Sequence, residues 1–217
     1  MSKQDPLSAF FARMFNKIAA RSGAFSSAPT AFVSSPEPRT IGLYARGKQL
    51  VAGNYLFAGQ LLSGARLEFW DLPQASPEFQ DEAQGFAWLD DLASVGDASA
   101  RQAAQTWVWQ WLERYGRGKG PGWTPDLTGR RLIRWINHGF FLLQNREKEQ
   151  SDLFFRSLAH QTRFLGKRWH AARPGIARFE ALSGLLYAAL SLEGMERFIA
   201  PAQKALSREC ASQIDSM

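Results

Sequence analysis

Four polar residues, Arg130, Arg134, Asn137 and His138, fall on one side of the segment 130–145 if that segment is a helix with about 100° per residue. Guanidinium groups form paired hydrogen bonds with carboxylate or sulfate groups, and amide and imidazole groups add neutral or switchable donors. The pattern indicates one wall of a groove that binds an acidic ligand. It is also typical of the solvated face of an amphipathic helix, and both interpretations stay open.

Two aromatic residues extend the predicted groove wall. Phe141 is the large apolar residue among the polar positions, and Trp109 points roughly opposite to Trp107 and Trp111 at helical spacing. The other apolar residues of the segment share the opposite side: Leu132, Ile133, Trp135, Ile136, Phe140, Leu142 and Leu143. An exposed ring can stack on a sugar face, whereas packing of Trp109 against a neighbouring hairpin is the alternative.

Other residues with chemical potential give weaker signals. Tyr115 and Tyr187 are candidate bases, but Tyr187 lies in an apolar stretch that predicts a core position. His160 and His170 lie in a basic stretch that predicts surface positions. Cys210 is the single cysteine, and the three histidines do not have the spacing of a zinc site. The sequence therefore predicts no metal ion, no cofactor and no catalytic residue.

Helical periodicity dominates the chain after about residue 80. The predicted helices cover residues 81–94, 100–115, 128–145, 150–170, 178–192 and 196–213. Asp97 or Ser99 can cap the second of these helices, and Asp126 or Thr128 can cap the third. Because the breaks are only about 2 to 8 residues long, successive helices should form antiparallel hairpins. We expect an all-α fold, an incomplete α/α toroid-like array of hairpins, with a bundle as the alternative.

The chain before residue 80 is organised differently. We expect residues 1–39 to form a first unit, which consists of an amphipathic helix and a Ser/Pro linker over 26–39. Residues 40–217 are expected to form the helical domain. Within that domain, residues 53–70 place glycines between short apolar runs, which favours short strands or turns. The expected fold therefore includes a short irregular or β-containing segment ahead of the helices.

The first predicted helix alternates apolar and basic residues. Its apolar residues at helical spacing are Leu7, Phe10, Phe11, Met14, Phe15 and Ile18. Arg13, Lys17 and Arg21 interrupt them, so the stretch does not read as a secretory signal. We expect this helix to dock on the chain's own core or to be partly mobile, and a membrane surface or a partner is the alternative. No run approaches the roughly 18 apolar residues of a membrane span, and we expect a cytoplasmic protein.

The charge of the chain favours acidic partners. Twenty-six Lys and Arg residues against twenty Asp and Glu residues give a net charge of +6. Residues 116–178 hold thirteen cations and four acids, so the excess belongs to the middle helices. Such a surface concentrates a polyanion and makes its binding dependent on salt. Nucleic acid is the less favoured polyanion, because no recognition helix or RNA-binding signature is present.

Several blocks of sequence resemble a known family. The blocks "WTPDLTGRRLIRWINHGFFLL", "FFRSLAHQTRFLGKRW" and "RFEALSGLLYAAL" follow "GNYLFAG" and "FAWLDDL". In this order and spacing they resemble the N-terminal region of bacterial heparinase II/III-like proteins. The resemblance extends from about residue 39 to the end of the chain.

The resemblance implies an α/α toroid followed by a β-sandwich domain, and cleavage of acidic polysaccharides by β-elimination. That reaction needs a group that neutralises the uronate carboxylate, a Tyr or His base for the C5 proton, and an acid for the leaving oxygen. In such enzymes the catalytic Asn, Tyr and His lie mainly in later toroid helices and in the following domain. We therefore expect a binding wall without a complete active site, inactive alone, and no catalytic residue is carried over.

Two alternatives to a lyase stay open. The chain can be a basic helical module that binds nucleic acid or an acidic protein without catalysis, or a fragment without function. Lyases of this family often work in the cell envelope or periplasm, which is the alternative to a cytoplasmic location. The sequence does not predict an oligomeric state.

Overall fold

A computed structural model of the protein describes residues 6–22, 31–34, 38, 40–63, 69–72 and 75–214. Within these ranges the helices are α1 (Pro6–Ser22), α2 (Tyr44–Val51), α3 (Pro77–Gly85), α4 (Trp88–Val95), α5 (Ala98–Tyr115), α6 (Pro125–Asn137), α7 (Gly139–Leu143), α8 (Lys148–Arg168), α9 (Ile176–Ser191) and α10 (Ile199–Ile214). Strands β1 (Asn54–Phe57) and β2 (Gln60–Ser63) form one antiparallel hairpin. The all-α class with a short β-containing segment is confirmed. Most of the predicted linker over 26–39 lies outside the described residues.

Caps and left-handed residues set the breaks between the helices. Asp97 caps α5 as predicted, because its carboxylate accepts a hydrogen bond from the Ala100 amide at 2.8 Å. Hydrogen bonds from Ser99 and from that amide lower the pKa of Asp97 to about 2. Phe86 has a φ of 62° and ends α3, so the single helix predicted over 81–94 is two helices. Gly96, with a φ of 68°, ends the second of them.

The helix predicted over 128–145 is shorter and begins earlier. Pro125 occupies the first turn of α6 and Thr124 is the N-cap residue, although its side chain makes no capping hydrogen bond. The predicted caps were therefore wrong: Asp126 lies in the first turn and Thr128 is buried inside the helix. His138 separates α6 from α7.

The break at His138 reverses the expected exposure of two phenylalanines. Phe140, predicted on the apolar side, is 84 % exposed. Phe141, predicted to project from the polar side, is half-buried and packs against the core. Both predictions assumed an unbroken helix of about 100° per residue, and the angular position of every residue after the break changes.

Two glycines allow α6 and α9 to cross at very short range. A Cβ at Gly184 would lie 2.3 Å from the Cα of Gly129, and a Cβ at Gly129 would lie 2.2 Å from the Glu180 carbonyl oxygen. Real Cβ atoms do not approach backbone this closely, so only glycine fits at either position. Helix α9 follows α6 with α8 between them in the chain, and α8 packs on both.

Aromatic rings fill the core between the hairpin and the helices. Phe69 stacks on Trp107 with ring centroids 4.4 Å apart, and Tyr55 of β1 meets both rings edge-on. Trp111 and Trp135 continue the cluster from α5 to α6 in an edge-on contact. This packing fixes α5 and α6, the two helices that carry four of the six predicted site residues.

Helix α1 docks on α8, as expected for a helix that packs on the chain's own core. Ala20 is fully buried, and Asn16 is 7 % exposed. The Arg168 guanidinium donates to Asn16 Oδ1 at 2.7 Å and to the Ala12 carbonyl oxygen at 3.4 Å. The buried side of α1 therefore consists of small or polar residues.

Candidate functional site

The polar side of α6 faces acidic residues of two neighbouring helices. Arg130 Nε lies 2.9 Å from Glu180 Oε1 of α9. Asp90 of α4 receives both Arg134 Nε, at 3.4 Å from Oδ2, and His138 Nε2, at 2.7 Å from Oδ1. These carboxylates offset the positive charge of the arginines that the sequence analysis predicted would bind an anionic ligand. This side of α6 is therefore not a long cationic groove wall.

Asn137 and Tyr187 meet beside this cluster. The Tyr187 hydroxyl of α9 donates a hydrogen bond to Asn137 Oδ1, and both side chains are half-buried. The bond orients the amide group, and Asn137 Nδ2 has no hydrogen-bond partner within the described ranges. Two N–H donors are thus available to a carboxylate. Tyr187, predicted as a core residue, packs its ring on the core but brings its hydroxyl to this site.

Asp90 also determines which ring nitrogen of His138 carries the hydrogen. An ionised carboxylate only accepts hydrogen bonds, so the imidazole hydrogen lies on Nε2, 2.7 Å from Asp90 Oδ1. The other ring nitrogen, Nδ1, then carries a lone pair and forms no hydrogen bond with any residue the structure describes. A His held by a carboxylate in this way can accept a proton at its second nitrogen.

Residues 42–47, which lead into α2 and form its first turn, pack closely on the backbone of α4. The Leu43 amide donates to Asp91 Oδ1 at 2.7 Å, and burial raises the pKa of this carboxyl group. A Cβ at Gly42 would lie 2.0 Å from the Asp90 carbonyl oxygen, and one at Gly47 would lie 2.3 Å from the Asp91 carbonyl oxygen. Backbone contact at this distance fixes where Asp90 points.

Trp109 and Phe141 do not join Arg130, Arg134, Asn137 and His138. Trp109 is half-buried between α5 and α8, where Arg146 lies over its ring at 4.8 Å. Its indole Nε1 is buried and has no hydrogen-bond partner among the described residues. Phe141 packs against the core. Of the six predicted binding residues, the structure brings four together and places these two elsewhere.

The cleft that contains Trp109 is the basic surface of the middle helices. It has a volume of about 940 Å³ and is bounded by α5, α8 and the loop over 116–119. Its basic side chains are Arg114, Arg117, Lys119, Arg146 and Arg156, and its acidic side chain is Glu113. Arg114 pairs with Asp71 at 2.6 Å, whereas Arg117 and Lys119 form no ion pair with a described residue. We call this surface the basic cleft.

Arg131 is a buried charged residue that the sequence analysis did not identify. Its side chain is fully buried, and burial lowers the pKa of its guanidinium to about 9. Its Nε donates to Gln161 Oε1 at 2.7 Å, and its Nη1 donates to the carbonyl oxygens of Gln84 and Gly122 at 3.0 and 3.1 Å. The group also lies 4.1 Å from the ring centre of Trp111. Arg131 therefore ties α3, α6 and α8 together.

His160 was predicted at the surface and is instead 4 % exposed. Its ring contacts the carbonyl oxygens of Gly116 and Ala20, so it joins α8 to the loop after α5 and to α1. Burial lowers the pKa of His160. His170 is exposed, as predicted. Within the described ranges no three His, Cys, Asp or Glu residues lie together as metal ligands.

The chain is similar to a bacterial protein over most of its own length. It is 29 % identical over 175 residues to FtsZ-localized protein C of Caulobacter vibrioides (strain NA1000 / CB15N). The match covers 80 % of this chain but 29 % of that protein, so the chain spans less than a third of the relative's length. No model of a known family matches the chain, and no solved structure matches it.

Proposed function

We propose that this chain is the helical portion of a polysaccharide lyase of the heparinase II/III type. In place of the inactive binding wall that the sequence predicts, we propose that Asn137, His138 and Tyr187 are reacting groups. One observation carries the proposal. The Tyr187 hydroxyl is hydrogen-bonded to Asn137 Oδ1, and the neighbouring His138 is held by Asp90. The amide donor and the phenol are in contact, the imidazole belongs to the next residue of the chain, and β-elimination of a uronate needs these three kinds of group.

Asn137 has the position of the group that neutralises the carboxylate. Its Oδ1 is occupied by Tyr187, so its Nδ2 points two hydrogens at the incoming uronate. These bonds stabilise the negative charge that spreads onto the carboxylate when the C5 proton leaves. Arg134 is paired with Asp90 and adds only part of its charge.

His138 and Tyr187 divide the proton transfers according to their ordinary acidities. An imidazole with a free lone pair is the better base near neutral pH, and a phenol with an ordinary pKa of about 10 is the better acid. His138 Nδ1 takes the C5 proton, the C4–O bond breaks and the C4–C5 double bond forms. The leaving oxygen then takes the hydroxyl proton of Tyr187, so protons and electrons balance.

The basic cleft supports an acidic polymer as the substrate class. Four of its five basic side chains, Arg117, Lys119, Arg146 and Arg156, form no ion pair with a described acid. Its volume of about 940 Å³ has room for several sugar residues. Cations in such a cleft hold sulfate or carboxylate groups of the chain and make binding weaker at high salt.

The test measures unsaturated product by ultraviolet absorbance with the full chain and a panel of acidic glycans, namely heparan sulfate, chondroitin sulfate, hyaluronan and alginate. Tyr187→Phe should lower the rate about 100-fold or more, because general acid catalysis contributes that much. Tyr115→Phe is the matched control, since Tyr115 lies at the end of α5 away from these groups. Equal rates for wild type and Tyr187→Phe, or no product from any glycan, would overturn the proposal.

The relative favours a second candidate function. FtsZ-localized protein C is named for its association with FtsZ, and the match covers 80 % of this chain. Under this candidate the chain is part of a protein that locates with FtsZ. Co-sedimentation of the full chain with polymerised FtsZ tests it, and a chain that stays in the supernatant at all ratios argues against it.

A further inference from the structure

Helix α1 is docked with its large apolar residues turned outward. Phe11, Met14, Phe15 and Ile18 follow an i, i+3, i+4, i+7 spacing and are between 37 % and 56 % exposed. Phe10 beside them is 61 % exposed. A helix that serves only the core of its own chain turns such residues inward. Here the buried side is formed by Asn16 and Ala20 instead, on the opposite face.

The docked face of α1 is held by specific polar contacts. Arg168 donates to Asn16 Oδ1, and the His160 ring contacts the Ala20 carbonyl oxygen. Arg168 also lies 5.9 Å from the ring centre of Phe15, at the edge of the exposed face. These contacts fix which side of the helix faces out, so its exposure is a property of the fold.

The charges around this face are of one sign. Helix α1 has no Asp or Glu, and Arg13, Lys17 and Arg21 are all exposed. The loop with Arg117 and Lys119 lies beside the end of the helix, because Gly118 between them packs on the Ala20 backbone, where a Cβ would lie 2.6 Å from its carbonyl carbon. Two copies of this surface would repel each other, whereas an anionic surface would be attracted.

We propose that the exposed face of α1 binds the surface of a membrane with anionic lipids. Its phenylalanines, Met14 and Ile18 enter the boundary between headgroups and acyl chains, and the flanking cations pair with the headgroups. The helix lies in the plane of the bilayer, since none of the described helices has the length and apolarity to cross it. The inference is independent of the proposed lyase activity.

The experiment is co-sedimentation of the full chain with vesicles of equal parts phosphatidylglycerol and phosphatidylcholine, beside vesicles of phosphatidylcholine alone. We expect binding to the anionic vesicles that is at least about tenfold tighter than to the neutral ones and weakens as salt is raised. The double variant Phe11→Gln and Ile18→Gln should lose binding at least about tenfold, because two side chains no longer enter the apolar layer. Glutamine keeps the helix propensity, so circular dichroism should be unchanged.

Matched controls separate this surface from others. Phe140→Gln with Ile176→Gln removes two residues that are 84 % and 79 % exposed outside α1, and it should bind as wild type does. Arg156→Gln, which removes a cation of the basic cleft but none of α1 or of the 116–119 loop, should also bind as wild type does. The proposal is overturned if the α1 double variant binds normally or if wild type ignores anionic vesicles. A third result would also overturn it. In that result neither protein binds vesicles, and light scattering shows that wild type is a dimer and the double variant is a monomer.

Discussion

Replacement of Gly184 by Ala tests whether the close crossing of α6 and α9 positions the proposed reacting groups. The new Cβ would lie 2.3, 2.5 and 2.7 Å from the Cα, carbonyl oxygen and carbonyl carbon of Gly129. All three are backbone atoms, so no side chain can swing away. To reach an ordinary contact of about 3.5 Å, the helices must separate by about 1.2 Å.

The expected cost combines three effects. Overpacking of a close-packed interface costs about 1 to 3 kcal/mol. Separation also weakens the hydrogen bond of Asn137 with Tyr187, at about 1 kcal/mol, and the partly exposed ion pair of Arg130 with Glu180, which adds little. Alanine recovers about 1 kcal/mol through its better helix propensity. We expect Gly184→Ala to lower the free energy of unfolding by about 2 kcal/mol, the balance of these terms.

Urea denaturation followed by circular dichroism measures this change through the midpoint at constant slope. Ser183→Ala, in the same helix and half-buried, is the control and should be neutral or slightly stabilising. If the proposed lyase reaction occurs, its rate should fall in Gly184→Ala, since Tyr187 lies three residues further along α9. A variant as stable as Ser183→Ala would refute the argument that these backbones are in contact.

Three further outcomes follow from single side chains. Arg131→Met should lower the free energy of unfolding by about 3 kcal/mol, because three buried acceptors lose their donor. Arg131→Lys should be destabilised as well, since lysine lacks the planar guanidinium group; the midpoints of urea denaturation measure both changes. Burial lowers the pKa of His160, so the unfolded chain binds the proton first, and the melting temperature should fall as pH drops below about 6.5; His160→Gln should show a flatter pH dependence. The pKa of Asp97 is lowered to about 2, so its contribution is complete above about pH 4 and is lost as pH falls toward 2; the melting temperatures of wild type and Asp97→Ala should converge there.

Helix positions and one cap could be predicted from local sequence, because periodicity and capping depend on neighbours in the chain. Asp97 precedes an apolar-periodic run and caps it as expected. The break at His138 had no such signal, because the residue at the break is neither Gly nor Pro. Gly139 follows it, but the apolar pattern continues through this glycine without interruption. That missed break explains why Phe140 and Phe141 were assigned to the wrong sides.

Long-range partners explain the other differences. Arg134 and His138 were identified as polar and exposed, but their partner Asp90 is more than forty residues away in the chain. Arg131 had a usable signal, because its i−4 and i+4 neighbours, Leu127 and Trp135, are buried apolar residues. Its charge nevertheless argued against a buried position.

The close packing of residues 42–47 on α4 means that His138 depends on residues that never approach it. Gly42 and Gly47 touch the backbone of Asp90 and Asp91, and any side chain at either glycine would displace this part of α4. A larger residue at either glycine would tilt the carboxylate that decides which nitrogen of the imidazole is protonated. A substitution at Gly42 or Gly47, about ninety residues upstream, would therefore disturb the proposed site while Asn137, His138 and Tyr187 themselves remained unchanged.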